Sequence, residues 1–271
     1  MGEELAKSIG LSLIDAHIHL ADSAYADRID FLLEVARKEN IVALVANSID
    51  LETSKASVTL SIRNPSLVYA AVGLHPWNAQ TADSEEVNQI RELVQEKRNR
   101  IVAIGEIGLD KSYAKTPDHF EQQRRFFEKQ LDVAKRMNLP VIVHSRSSAK
   151  EVLDIAESYD QKKVLMHWYS GPLEYVKDIC DRGWVLSFGP SILYSKRIRE
   201  IVSKVPLESL LTETDGPVKY RGPFMEKETT PEFIRPVVEE VARILNKDPR
   251  ALADQILENF DRFFEVREGA F

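Results

Sequence analysis

Apolar residues recur along this chain in two rhythms. Short runs such as SLIDAH (12–17), IVALVANS (41–48) and IVAIGEIG (101–108) are apolar at nearly every position. Between them lie longer stretches, YADRIDFLLEVARKEN (25–40) and PDHFEQQRRFFEKQLDVAKRMN (117–138) among them, that are apolar near every third or fourth place. The first rhythm belongs to strands buried on both faces, the second to amphipathic helices. It predicts strands at 12–17, 41–48, 68–75, 101–108, 140–145, 163–169, 184–189 and 209–215. Helices follow at 25–40, 51–64, 84–98, 117–138, 148–159, 171–183, 195–205 and 230–246, with another stretch at 249–266. The helix at 84–98 opens on a half-matching capping box, Ser84 followed by Val87 where Glu or Gln would complete it.

Eight strand–helix pairs predict an α/β fold, a (β/α)8 TIM barrel spanning about 12–266, with the whole of 1–271 as one domain. An open doubly wound sheet shares the local pattern, but no glycine-rich phosphate fingerprint follows the first strand. The longest connection, DGPVKYRGPFMEKETT (215–230), follows the last strand and is the expected mobile flap.

Composition narrows the choice. A hydrophobic share of 44% with 29% charged residues suits a soluble domain with a large core. The net charge of −7 argues against a broad basic surface for duplex nucleic acid, though not against a phosphate substrate held by bound cations. Cys180 is the single cysteine, so no internal disulfide forms and a reducing compartment is expected. It falls on the apolar side of a helical stretch and reads as core packing. The opening MGEELAKSIG lacks the apolar region of a signal peptide, and Ala6 breaks the myristoylation pattern. No run approaches the roughly 18 apolar residues of a membrane span. A cytoplasmic protein is expected, with no membrane association and no obligate protein partner evident.

The chemistry gathers at the strand ends. In DAHIH, His17 and His19 are two residues apart and share one face of a strand. His75 ends the third strand, Glu106 lies in the fourth, and His144, His167 and Asp215 end the fifth, sixth and eighth. A barrel brings all these ends to one mouth. Five of the six histidines fall there, and His119, early in a helix, reads as surface. Singly, each has an ordinary explanation: a satisfied core histidine, a carboxylate paired with arginine, a turn cap. Together on one rim they point to a metal site, because buried imidazoles and carboxylates are costly unless paired or coordinated. Nitrogen and carboxylate ligands without thiolate suit Zn, Mn, Co, Ni or Mg. Six of them are too many for one tetrahedral ion and fit two bridged divalent ions.

The motifs DAHIHL, VGLHPW, IGEIGLD, LPVIVHSR, MHWYSG, LSFGPSI, LLTETDGP and ENFDRFF, in this order from about 13 to 266, resemble the TatD family of metal-dependent hydrolases. The better-known members of that family are deoxyribonucleases, and its fold is a TIM barrel. The resemblance implies that His17, His19, Glu106 and Asp215 hold one metal ion. It implies that Glu106, His144 and His167 hold a second, with Glu106 bridging. Asp215 would orient or deprotonate the attacking water, so that Asp215 and Glu106 carry catalysis. His75 and Arg146 would contact phosphate. The alternative for Arg146 is a surface ion pair, and for His75 a hydrogen bond to a loop. Asp110 either orients a histidine ligand or bonds a loop amide. Trp77, Tyr113, Trp168 and Tyr169 either line the pocket and stack on a base or cover the barrel rim. The chain has Trp168-Tyr169 where many relatives have Cys-Phe, and KETTPE (227–232) where many have Arg-Asn-Glu-Pro. The expected activity is a two-metal phosphodiesterase acting 3′ to 5′ on the end of single-stranded DNA. The alternative is ester or amide hydrolysis, as in an aminoacyl-tRNA deacylase or another amidohydrolase-like enzyme. No lysine ends a strand where a carbamylated bridge would sit, which weakens the amidohydrolase version.

Overall fold

A computed structural model describes residues 10–83 and 85–266. Ser84, the expected helix cap, and most of the N-terminal segment read above lie outside the described residues. Eight strands form one parallel sheet in sequence order: β1 (Leu13–Ile18), β2 (Ile41–Ala46), β3 (Val68–Val72), β4 (Ile101–Gly108), β5 (Val141–His144), β6 (Val164–Met166), β7 (Val185–Phe188) and β8 (Leu210–Thr212). The connecting α-helices are α1 (Ile29–Lys38), α2 (Leu51–Arg63), α3 (Glu86–Glu96), α4 (Pro117–Met137), α5 (Ala149–Ser158), α6 (Tyr175–Asp181) and α7 (Lys196–Val202). The helices α8 (Ile234–Leu245) and α9 (Pro249–Phe264) follow β8. The expected TIM barrel is present. Every residue of β1, β3, β6, β7 and β8 is buried, as strands covered on both faces require.

Local chemistry sets the element ends. Asp50 and Thr53 form a reciprocal capping box at the start of α2. Thr116 caps α4, Pro117 takes its first position, and Asn138 ends it in the left-handed region at φ 50°. The helix expected over 25–40 divides, with a 3₁₀ segment at Ser23–Arg28 before α1 begins. Strands β6 and β8 are shorter than expected. Within three residues of their ends, Trp168 (φ 38°) and Asp215 (φ 52°) enter the left-handed region.

The seam between β8 and β1 is closed largely by side chains. Thr212 Oγ1 donates to Ile14 O at 3.1 Å. The buried Asp15 carboxylate accepts from Thr214 N at 3.0 Å and Thr214 Oγ1 at 2.5 Å. Two backbone bonds continue the seam: Asp215 N to His17 O and His19 N to Gly216 O, both 2.8 Å. At the start of β8, Asn259 of α9 donates to Leu207 O and Leu210 O at 2.6 and 2.8 Å. That gives the asparagine of ENFDRFF a structural task.

The loop read as a flap is tied down at several points. Tyr25 OH donates to Thr229 O at 2.5 Å, Tyr220 OH to Thr214 O at 2.7 Å, and Arg28 pairs with Glu228. Tyr220, Phe224 and Phe233 form a small apolar cluster of their own, with Trp168 packed against it. Among the described residues, no helix is long and apolar enough to cross a membrane.

Candidate metal centre at the barrel mouth

His17 sits in β1 and Glu106 in β4, and in both strands the ladder slips beside the site residue. The register shifts between Asp15 and Ile18 against β2, and between Ile104 and Ile107 against β5. Such irregularities re-aim side chains at barrel rims. Glu106 is buried, and its two oxygens face different partners. Oε2 lies 3.3 Å from Nε2 of His17 and 3.3 Å from Nε2 of His19. Oε1 lies 2.8 Å from His144 Nδ1, 2.7 Å from His167 Nε2 and 3.2 Å from His75 Nε2.

One cluster has the shape of a ligand set. The two histidine nitrogens, His17 Nε2 and His19 Nε2, are 3.3 Å apart, and Asp215 Oδ1 lies 3.4 and 3.3 Å from them. With Glu106 Oε2 at 3.3 Å from both, five distances among four donor atoms fall at 3.3–3.4 Å. A regular tetrahedron of that edge has its corners about 2.0 Å from its centre, the bond length of a divalent transition ion to imidazole or carboxylate. Glu106 Oε1, His144 Nδ1 and His167 Nε2 form a second, three-cornered set, the two histidine atoms being 3.4 Å apart.

For His19, His144 and His75, partners on the far side of the ring fix which nitrogen is available. His19 Nδ1 lies 3.3 Å from Asn47 O, so the ring donates there and turns a bare Nε2 inward. His144 donates from Nε2 to Asp110 Oδ2 at 3.0 Å and turns Nδ1 inward. His75 is arranged in the opposite sense. Its Nδ1 accepts from Trp77 N at 3.1 Å, so the neutral ring carries its proton on Nε2, toward Glu106. Burial lowers its pKa to about 4, which keeps it neutral. His75 therefore offers a hydrogen-bond donor to the site, with no lone pair at Nε2 for a cation.

Charge in the cluster is shared unevenly. Burial pushes Glu106 and Asp215 up, but the surrounding histidines outweigh it and hold both below the carboxylate range. His19 would be lowered by burial, yet Asp215 and Glu106 raise it to about 10. His144 and His167 are raised against burial as well, by Asp110 with Glu106 and by Glu106 with Glu213 respectively. His17 is lowered, by burial first and then by His167, whose ring stacks on it at 3.9 Å. Two buried carboxylates thus favour cationic neighbours, and a divalent ion supplies the same charge once those protons leave. The donor set fits a metal.

Above this centre opens a cavity of about 570 Å³, lined by site residues together with Trp77, Asn78, Arg146 and Trp168. Arg146 is exposed at its rim. Tyr169 is not part of it: the ring is fully buried and its hydroxyl donates to Pro172 O at 2.7 Å. His119 lies half-buried on α4, outside the cavity, and Cys180 packs partly buried against the core. Two further buried carboxylates, Asp15 and Glu213, do not stand out in the sequence. Asp15 braces the seam beside His17, and Glu213 accepts from Ser187 Oγ at 2.5 Å with His167 Nδ1 at 3.7 Å. Each stands two residues before a site residue, and strand alternation would have put both on the site's side.

A parallel barrel with a histidine–carboxylate centre at the C-terminal ends of its strands is the architecture of metal-dependent hydrolases. The family model described as TatD related DNase matches residues 14–265, and the chain belongs to this family of metal-dependent hydrolases. It is 30% identical over 259 residues to a metal-dependent hydrolase of Methanocaldococcus jannaschii, covering 94% of this chain and 97% of that one. It is 31% identical over 246 residues to the human deoxyribonuclease TATDN3, covering 88% and 89%. The crystal structure of YjjV, a TatD homologue from Escherichia coli, superimposes with a TM-score of 0.88 at 27% identity, covering 95% of this chain and 99% of that one.

Proposed function

We propose that the protein is a two-metal phosphodiesterase that removes nucleotides from the 3′ end of single-stranded DNA. The observation that carries this reading is the pair of ligand sets sharing Glu106, each oxygen serving one set. His17, His19, Glu106 and Asp215 would hold one ion, and Glu106, His144 and His167 the other. When bound, divalent ions polarise a phosphoryl oxygen and lower the pKa of water. Asp215, held ionised by His19 and its neighbours, orients the attacking water and takes its proton. The Nε2–H of His75 faces Glu106 Oε1 at 3.2 Å and would be shared with a phosphoryl oxygen seated in the cavity. Arg146 has no side-chain partner among the described residues and offers its fork to the phosphate.

The deoxyribonuclease name of the human relative supports a nucleic-acid substrate, and the 3′ polarity rests on the family resemblance. A barrel mouth is a concave pocket that admits a chain end more readily than the middle of a stiff duplex. The acidic chain has little long-range grip on duplex DNA. The test is a panel of single-stranded DNA, RNA, aminoacyl-tRNA and carboxylic esters, each with Mn, Mg, Zn, Co or Ni. Turnover of single-stranded DNA above the rest is the expected result. Turnover of aminoacyl-tRNA or simple esters with DNA untouched would replace this reading by ester hydrolysis.

A further inference from the structure

Trp77 lines the cavity, and on its outer side, beyond the lining, Tyr113 stacks on it in the open. The rings of Trp77 and Tyr113 lie 5.2 Å apart at 27°, and the residues keep 43% and 42% exposure. Leaving two large rings in water forgoes apolar burial that either would gain elsewhere. Their position is nevertheless fixed. Trp77 Nε1 donates to Asp110 Oδ2 at 2.7 Å, and Tyr113 N donates to Asp110 Oδ1 at 2.9 Å. Asp110 is fully buried, and the same Oδ2 accepts from His144 Nε2 at 3.0 Å. Gln123 locks the loop from behind by accepting from Asp110 N at 2.9 Å. One buried carboxylate therefore ties an exposed aromatic pair to a ring whose other nitrogen faces Glu106. The indole also meets His75 edge-on at 4.8 Å and stands 6.2 Å from the His144 ring.

We propose that Trp77 and Tyr113 form a nucleobase platform, held in register with the metal centre through Asp110, on which an unpaired base stacks next to the scissile phosphate. The inference rests on the phosphodiesterase reading and adds how substrate is selected. A base inside a duplex already has stacking neighbours on both faces, so the platform selects single strands and frayed ends. Every base has a π-face, so the selection is tolerant of sequence. Asp110 is a positioning residue: it aims both the platform and His144 and touches neither the phosphate nor the base.

Tyr113→Leu is the clean perturbation, because only the backbone of Tyr113 reaches Asp110. Tyr113→Phe keeps the ring and serves as the conservative control. The substrate is a single-stranded oligodeoxynucleotide ending in 2-aminopurine, used with the Mn-loaded enzyme. Tyr113→Leu should raise KM roughly 5- to 150-fold, the range of one lost base–aromatic stack, with a smaller change in kcat and full metal content. The quenching of 2-aminopurine emission on binding should weaken in parallel, and Tyr113→Phe should behave as wild type. A KM for Tyr113→Leu within twofold of wild type overturns the proposal, and so does a loss that Tyr113→Phe shares. If the wild-type enzyme cleaves no single strand at all, the phosphodiesterase reading itself falls, and the platform with it.

Discussion

Glu106→Gln separates the carboxylate's part in the fold from its part in holding ions. The substitution preserves shape and removes the charge that both ligand sets share. In the metal-free protein two effects oppose each other. The hydrogen bonds with His144 and His167, at 2.8 and 2.7 Å, lose their charge assistance, each weakening by about 1 kcal/mol. A buried charge also disappears, which returns several kcal/mol of desolvation. The cationic histidines that Glu106 supports would also be left without their counter-charge, so melting of the metal-free variant mixes opposing effects and is a poor reporter. The shift on adding metal is a better one, because the direct effect of the substitution cancels within each protein. An ion at ~1,000 times its Kd stabilises the native state by about 4 kcal/mol. If losing the bridge weakens binding by about 100-fold, the same concentration gives about 1.4 kcal/mol. Counted for a single ion, at roughly 2–4 °C per kcal/mol for a chain of this size, the wild type should gain about 8–16 °C and the variant about 3–6 °C. Differential scanning fluorimetry with Mn or Zn measures both. An equal metal-induced shift in the two proteins would refute the bridging role.

Asp215→Asn keeps the side chain's shape but cannot accept a proton, so turnover should fall on the order of 10²-fold or more in protein that still carries metal; near-normal kcat would remove Asp215 as the base. Asp15→Asn should lower stability by about 1–3 kcal/mol, since the amide cannot accept from both Thr214 donors across the β8–β1 seam. Unchanged urea denaturation would show that the seam does not depend on that carboxylate. Far from the site, Glu240 is held below the usual glutamate range by hydrogen bonds from Arg243, against some burial and with help from Arg199. A lowered folded value means stability that is present above the ordinary pKa and lost as pH falls through the lowered one. Glu240→Gln should therefore narrow the gap to wild type as pH drops below about 4.5 in low salt, and a constant gap down to pH 3 would contradict this.

Much of this fold is legible in the rhythm of apolar residues, because eight buried strands and their helices each leave a periodic mark. The strand ends are harder to read. Trp168 and Asp215 follow apolar runs that look like longer strands, but β6 ends at Met166 and β8 at Thr212, and periodicity carries no mark of the positive φ just beyond. The gathering of His17, His19, Glu106, His144, His167 and Asp215 follows once a barrel is assumed, since one rim collects all strand ends. The unlike part played by His75 does not follow, because it depends on which nitrogen meets the Trp77 amide. Asp15 and Glu213 were readable by alternation but are masked by neighbours that resemble ligands more strongly. The loop at 215–230 has the composition of a flap, yet its aromatic residues pack on one another and on Trp168, an arrangement only tertiary contacts reveal.

On the proposed reading, this mouth hydrolyses phosphodiester bonds at a strand end with bound divalent ions. Single-stranded DNA labelled at its 5′ end, incubated with the enzyme in Mn or Mg and again in excess chelator, tests it most directly. The expected result is a ladder shortening steadily from the 3′ side, abolished by chelator and restored by adding metal back. Cleavage of closed circular single strands at a similar rate, or intact DNA under every metal while esters turn over, would contradict it.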